Sequence, residues 1–398
     1  MDWFRRERGW INEQHLKLCR VAAPTFFEQR RATWMAERFR SLGWEARIDR
    51  AGNVIASRAG ERDRSGVAVT AHLDTVLAPR APEEIKVAGD GRLLGPGVSD
   101  NGAGLAALLA LAAAWSAGPP MAGAPHSPVL IANVGEEGEG NLSGMRYLCR
   151  TANNLRHPMD LKAFLVLDGP SIEHITWQAL ASRRFDVTFT GPGGHSWSDY
   201  GTGNPVHALS RAVTLFTDEA PNAAAAMGPR WSFNVGVIEG GVSINSIPTE
   251  ARAKVDLRSE SAERLEQMAA LLASAVDRAA EIENGRGTGG RRVDQEGRAR
   301  VSGRVKEIGS RPGGGLREDA PLLECIRAVD AHLGIRSHLD CSSTDANVPL
   351  SLGLAAVSIG AGGQGGGAHT AAEWFQPEGR ELGLRRVLLA LCLLLAGE

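Results

Sequence analysis

The sequence predicts an α/β protein: a larger domain on a mixed, mostly parallel sheet covered by helices, carrying an inserted ferredoxin-like α+β domain. Three observations predict it. Strand-like and helix-like stretches alternate from residue 53 to 167, the pattern of a parallel sheet with helices on both faces. After Gly169-Pro170 the order becomes strand, helix, strand, strand, helix, strand, which is the split βαβ unit. After Arg311-Pro312-Gly313-Gly314 the first alternation resumes. The boundaries fall at 1–177 and 311–398 for the larger, discontinuous domain and at 178–310 for the insert.

Element by element, helical spacing runs from 11 to 42, with Leu16, Leu18, Phe26, Phe27, Trp34 and Phe39 apolar among charges, and Gly43 ends it as a helix C-cap glycine would. Apolar runs predict strands at 53–57, 67–73, 128–134 and 162–167, with helices at 103–116 and 141–150 between them. In the insert, residues 183–190 alternate as a strand with one wet face does. A helix follows at 205–218, strands near 231–239 and 250–257, a charged helix at 261–283 and a strand at 299–308. The Gly/Arg-rich stretch 284–298 reads as a surface loop. Helix 320–333, strand 355–359 and a final helix 379–396 complete the chain.

Composition excludes several functions. Lys and Arg total 44 against 46 acids in 398 residues, a net charge of −2, so nothing marks the chain for nucleic acid or an anionic membrane. The longest apolar run, Val387–Ala396, is half of the ~20 residues a membrane span needs. The first residues, Met1-Asp2-Trp3-Phe4-Arg5-Arg6, put charge where a signal peptide needs an apolar run. Five scattered cysteines with no Cys-x-x-Cys exclude a thiolate zinc knuckle and suit a reduced, cytoplasmic chain.

The chemistry gathers where strands end. Strand 67–73 leads to His72-Leu73-Asp74, and residues two apart share a face, so Asp74 can orient the His72 ring. Ser99-Asp100-Asn101-Gly102 opens the apolar helix at 103, and Asp100 is equally a candidate N-cap. Strand 128–134 runs into Gly135-Glu136-Glu137-Gly138, strand 162–167 into Asp168-Gly169-Pro170, and strand 355–359 into a glycine-rich turn and His369-Thr370-Ala371-Ala372-Glu373. Ligand sites of open α/β sheets lie at the carboxyl ends of strands. Two histidines with three or more carboxylates suit zinc, with manganese or cobalt as alternatives, and the inventory is large enough for two metals. Other chemistries fail on context. Position 101 is Asn, so Ser99 lies in no Gly-x-Ser-x-Gly elbow. The Gly-x-Gly-x-x-Gly at 360–365 opens no helix of a βαβ unit, and no His-Glu-x-x-His occurs.

In this order, His-x-Asp, Asp-Asn-Gly-Ala-Gly, Glu-Glu-Gly, Asp-Gly-Pro and His-Thr-x-x-Glu resemble the motifs of the di-zinc metallopeptidase family that contains aminoacylase, glutamate carboxypeptidase, acetylornithine deacetylase, succinyl-diaminopimelate desuccinylase and peptidase T. The resemblance spans essentially the whole chain. It implies that His72 and Asp168 are terminal ligands of one metal and Glu137 and His369 of the other. Asp100 bridges them, Asp74 orients His72, and Glu136 is the general base. It also makes the peptide bond after Asp100 a candidate for the cis form. The insert becomes a lid and dimerisation domain, with a homodimer as the assembly. Within it, His195 of Gly193-Gly194-His195-Ser196-Trp197 would be donated by the partner subunit to stabilise an oxyanion, while Asn245 and Arg258 would hold the substrate.

The function so implied is amide hydrolysis next to an amino acid, by a water shared between two metals. Short peptides are the expected substrate, supported by Ser342-Ser343-Thr344-Asp345-Ala346-Asn347, which resembles the peptidase T branch. An N-acyl-amino-acid deacylase uses the same metal residues and stands as the alternative. A non-catalytic metal-binding protein is a third reading, disfavoured because it has no use for Glu136.

Overall fold

The chain is described here from a computed structural model covering residues 3–60, 65–118, 123–152, 160–224, 228–286 and 300–397. The first elements depart from the sequence expectation. The helical run at 11–42 is two helices, α1 (Arg8–Cys19) and α2 (Gln29–Ser41). Pro24 lacks an N–H and disfavours helix in the residue before it. The chain between the helices extends instead, bridging Pro24 to Thr75. Phe26 and Phe27 are therefore exposed rather than core.

A hairpin of β1 (Glu45–Ile48) and β2 (Val54–Ser57) follows, then β3 (Gly66–His72), every residue of which is buried. Helix α3 (Gly102–Ala117) is apolar around its whole circumference and buried accordingly. Next come β4 (Ser127–Asn133), α4 (Ser143–Ala152), β5 (Leu161–Leu167) and β6 (His174–Ala179). The insert holds β7 (Ala181–Thr190), α5 (Pro205–Ala224), β8 (Trp231–Gly240), β9 (Glu250–Ser259), α6 (Ala262–Arg286) and β10 (Ser302–Arg311). The chain closes with α7 (Pro321–Leu333), β11 (His338–Ser342), β12 (Ala355–Ile359) and α8 (Arg380–Ala396). Of the expected loop at 284–298, residues 284–286 end α6, and the remainder lies outside the described residues.

By its internal contacts the chain divides into two compact units, Met1–Ala179 with Gly314–Glu398, and Leu180–Gly313. In the first, the main sheet runs β1-β2-β4-β3-β5-β12-β6, with β11 beside β6. The central strands β4, β3, β5 and β12 are parallel, and antiparallel strands stand outside them. The register puts His72 beside Asn133 and Leu167 beside Ile359, so the four carboxyl ends lie along one edge.

In the second unit an antiparallel sheet of order β8-β9-β7-β10 has the ferredoxin-like arrangement. Alternate residues of β7 and β9, among them Phe185, Val187, Phe189, Val255 and Leu257, bury against Phe216 of α5 and Leu272 of α6. Among the described residues, no helix is long and apolar enough to cross a membrane.

Candidate metal centre

His72 is the last residue of β3 and is buried. Its Nδ1 lies 3.0 Å from the main-chain oxygen of Asp74. A carbonyl only accepts, so Nδ1 carries a proton, which leaves Nε2 as the atom turned to the carboxylates. Nε2 faces Asp100 Oδ1 at 3.0 Å and Asp168 Oδ1 at 3.8 Å. Asp74 thus reaches the ring through its carbonyl, while its carboxylate is 3.6 Å from Nδ1. That carboxylate accepts the N–H groups of Glu136 (3.0 Å) and Glu137 (2.9 Å) and the Thr25 hydroxyl (3.0 Å). One residue fixes both the imidazole and the strand end carrying the two glutamates.

Asp100 precedes α3, but the capping role open to it falls to Asn101. The Asn101 side chain accepts the Gly104 N–H (3.1 Å) and donates to the Leu167 carbonyl (2.7 Å). A Cβ on Gly104 would lie 2.4 Å from Asn101 Oδ1 and 2.8 Å from the Leu167 oxygen, so only glycine permits this cap. The Asp100–Asn101 peptide bond is cis. Freed from capping, the Asp100 carboxylate turns one oxygen to His72 and the other to His369 Nε2, 3.2 Å away. His369 Nε2 also meets Glu137 Oε1 at 2.9 Å. Two groups therefore form around one shared carboxylate: His72 and Asp168 on one side, Glu137 and His369 on the other. Glu136 sits beside Glu137 with its side chain buried.

The remaining predicted residues lie in the second unit. Gly194-His195 pairs with Ser246-Ile247, and the Ser196 N–H bonds the Asn245 carbonyl at 3.0 Å, so His195 and Asn245 are neighbours. His195 Nδ1 accepts the Trp197 N–H at 3.2 Å. Arg258 is near the far end of β9, its Nε bonded to Asp256 at 2.7 Å.

Residues 53–177 match peptidase family M28, and residues 181–284 match a peptidase dimerisation domain. Together these matches take in more than half of the chain. The chain belongs to the co-catalytic metallopeptidase family. As a metallopeptidase it is an enzyme that hydrolyses amide bonds. No curated protein sequence matches it, but solved structures share its fold across nearly the whole length. A tripeptidase from Staphylococcus aureus is 17% identical over 98% of both chains, with a TM-score of 0.74. Aminopeptidase PepT from Bacillus cereus is 19% identical over 98% of both, with a TM-score of 0.71. The YXEP protein of Bacillus subtilis, a dinuclear metal-binding peptidase, is 15% identical over 98% of this chain and 99% of its own, with a TM-score of 0.68.

For such a metallopeptidase the donor set fits two divalent cations. Ligand atoms of His72, Asp100 and Glu137 all lie within 4.8 Å of one another. So many carboxylates in one buried place call for positive charge among them. The imidazoles show the demand. For His72, burial pushes the pKa down, yet hydrogen bonds with Asp100, Asp168 and Asp74 outweigh it and hold the ring well above its ordinary value. The hydrogen bond with Asp100 raises His369 to about 9, and burial pushes Glu137 up to about 7.

Several supporting residues lay outside the site residues read from the sequence. Glu28 accepts the Gly135 N–H (3.2 Å), and buried Arg31 donates to the Leu73 carbonyl (2.7 Å). Asn133 donates to buried Asp345 at 2.6 Å, and burial pushes that carboxyl up to about 7. Glu373 was visible only as the last letter of a motif. Its carboxylate accepts three N–H groups of the Asp100 loop. The glycines at 360–365 serve close packing, for a Cβ on Gly360 would lie 2.1 Å from the Pro170 oxygen.

Proposed function

We propose that the chain is a zinc-dependent exopeptidase of di- and tripeptides. The observation that carries this is the pair of imidazole–carboxylate groups sharing Asp100, with a further buried carboxylate, Glu136, next in sequence to a ligand. His72 and Asp168 would hold one metal and Glu137 and His369 the other, with Asp100 available to both. When bound, the metals polarise the scissile carbonyl and lower the pKa of water. Glu136 accepts a proton from the attacking water and returns it to the leaving amine. His195 accepts main-chain N–H at Nδ1, which leaves its ring proton on Nε2 as a donor to the developing oxyanion. Asn245 and the planar fork of Arg258 hold the substrate and its carboxylate. Likeness to a tripeptidase and an aminopeptidase over 98% of each chain favours peptides over N-acyl amino acids, and the five free cysteines suit a reducing cytoplasm.

The test is amino-acid release from Ala-Ala-Ala and from N-acetyl-alanine by the zinc-loaded protein. Cleavage of the tripeptide alone is expected, abolished by a chelator and restored by Zn²⁺, Mn²⁺ or Co²⁺. Cleavage of the acylated amino acid alone would make the chain a deacylase.

We propose a homodimer as the working assembly. The His195 hairpin joins the second unit where Thr190 pairs with Glu250, and Arg258 lies eight residues further along β9, roughly 26 Å of strand. One chain's His195 and Arg258 therefore serve one substrate only when two copies contribute. Strand β8 is a sheet edge with Ile238 exposed, and Val242 and Ile244 beyond it are fully exposed, which suits pairing with a second copy. Ile238→Glu should shift sedimentation towards monomer and lower peptidase activity in proportion. A fully active monomer would remove the partner from the site.

A further inference from the structure

We propose that Glu373 is a positioning residue that sets the shared ligand Asp100 against His369, so that both metal sites depend on it. The inference rests on reading the site as a two-metal centre. Glu373 is 3% exposed. Its Oε1 accepts the N–H groups of Ser99 (2.7 Å) and Asp100 (2.8 Å), and its Oε2 accepts that of Gly97 (2.7 Å). Its main-chain oxygen accepts the Gly95 N–H at 2.9 Å. These are short, charge-assisted bonds, and through them amide dipoles offset a buried carboxylate.

The bonds join two stretches of chain more than 270 residues apart. One carries Asp100. The other is the turn 367–373, closed by bonds from the Thr370 N–H and hydroxyl to the Gly367 carbonyl and from the Glu373 N–H to Thr370. His369 rides on that turn with φ at +65°, a left-handed conformation that costs a non-glycine residue energy and persists only where its surroundings impose it. Next to the turn, Trp374 pairs with Leu94, which ties the same two segments again. On its other side the Asp100 loop gives the Val98 carbonyl to His15 Nε2 at 2.7 Å. Asn101 fixes the chain immediately after Asp100 through Gly104 and Leu167. Asp100 is thus held from before by Glu373 and from after by Asn101, and Glu373 alone of these also belongs to the turn of His369.

Glutamine cannot substitute. Its amide has one acceptor oxygen for three N–H groups, and its NH₂ would face a donor. Because Asp100 is shared, its displacement weakens both sites, whereas loss of His369 strips a ligand from one.

The experiment is Mn²⁺ titration of the metal-stripped protein by calorimetry, with melting temperature recorded on each metal-free variant. Glu373→Gln should weaken both Mn²⁺ sites at least tenfold, the range for residues that orient metal ligands. Glu373→Asp, which keeps the charge but falls short by one methylene, should weaken both to a smaller extent. Asp330→Asn, placed in the α7–α8 core, should lower the melting temperature at least as far while leaving Mn²⁺ affinity unchanged. The inference is overturned if Glu373→Gln binds Mn²⁺ as tightly as the unaltered protein, if only one site weakens, or if Asp330→Asn weakens binding equally. An unaltered protein that binds two Mn²⁺ but, loaded with zinc, cleaves neither Ala-Ala-Ala nor N-acetyl-alanine would refute the proposed reaction and leave this inference standing.

Discussion

Replacing Glu136 with Ala should lower kcat by about 10²–10⁴, the usual contribution of a positioned general acid–base, while the protein keeps two metals and its fold. At 10³ that loss corresponds to about 4 kcal/mol of barrier. The expectation that structure survives has a specific basis. Glu136 is held to Asp74 through its N–H, at 3.0 Å, and alanine retains that N–H. Glu137 keeps its own bond to Asp74 at 2.9 Å, and the Asp74 carbonyl keeps its hold on His72. Metal analysis beside steady-state kinetics separates the cases. Full activity would sink the general-base assignment. Loss of one metal would instead make Glu136 a ligand and reopen the question of what accepts the proton.

The strands that build the site were legible because they are buried on both faces and therefore written as short apolar runs, and because His72 closes one such run, Asp168 follows another directly and Glu136-Glu137 come soon after a third. Strands β6 and β11 were not foreseen. Their sequences, His-Ile-Thr-Trp-Gln-Ala and His-Leu-Asp-Cys-Ser, carry no apolar run, and their polar-apolar alternation lasts only five or six residues, too short to stand out from the surrounding chain. The break between α1 and α2 was signalled by Pro24 but masked by Phe26 and Phe27, whose spacing imitates a helical face. Which of Asp100 and Asn101 caps α3 could not be read from composition, since both are good N-caps, and the metal reading depends on the answer. Contacts such as Glu373 with Gly97, or Asn133 with Asp345, join residues over 200 positions apart. No local period encodes them.

Away from the site, the largest effect on stability is expected at Arg386. Arg385-Arg386 stands immediately before the apolar run Val387–Ala396, yet Arg386 is 0% exposed. Its Nε and one terminal nitrogen bond the two oxygens of Asp330 on α7, each at 2.6 Å, and the Ser337 hydroxyl donates to the same carboxylate. Arg386→Met should destabilise the protein by about 3–5 kcal/mol, because it strands a buried carboxylate without its cation. The loss is not the value of the pair, since bringing both charges out of water was itself costly. The double variant Arg386→Met with Asp330→Leu should therefore recover most of the stability, as apolar replacements of buried ion pairs often do. Denaturant unfolding of both single variants and the double variant gives the coupling directly. If the double variant were as unstable as the sum of the singles, the packing around the guanidinium, rather than the charge it neutralises, would be what holds α7 to α8.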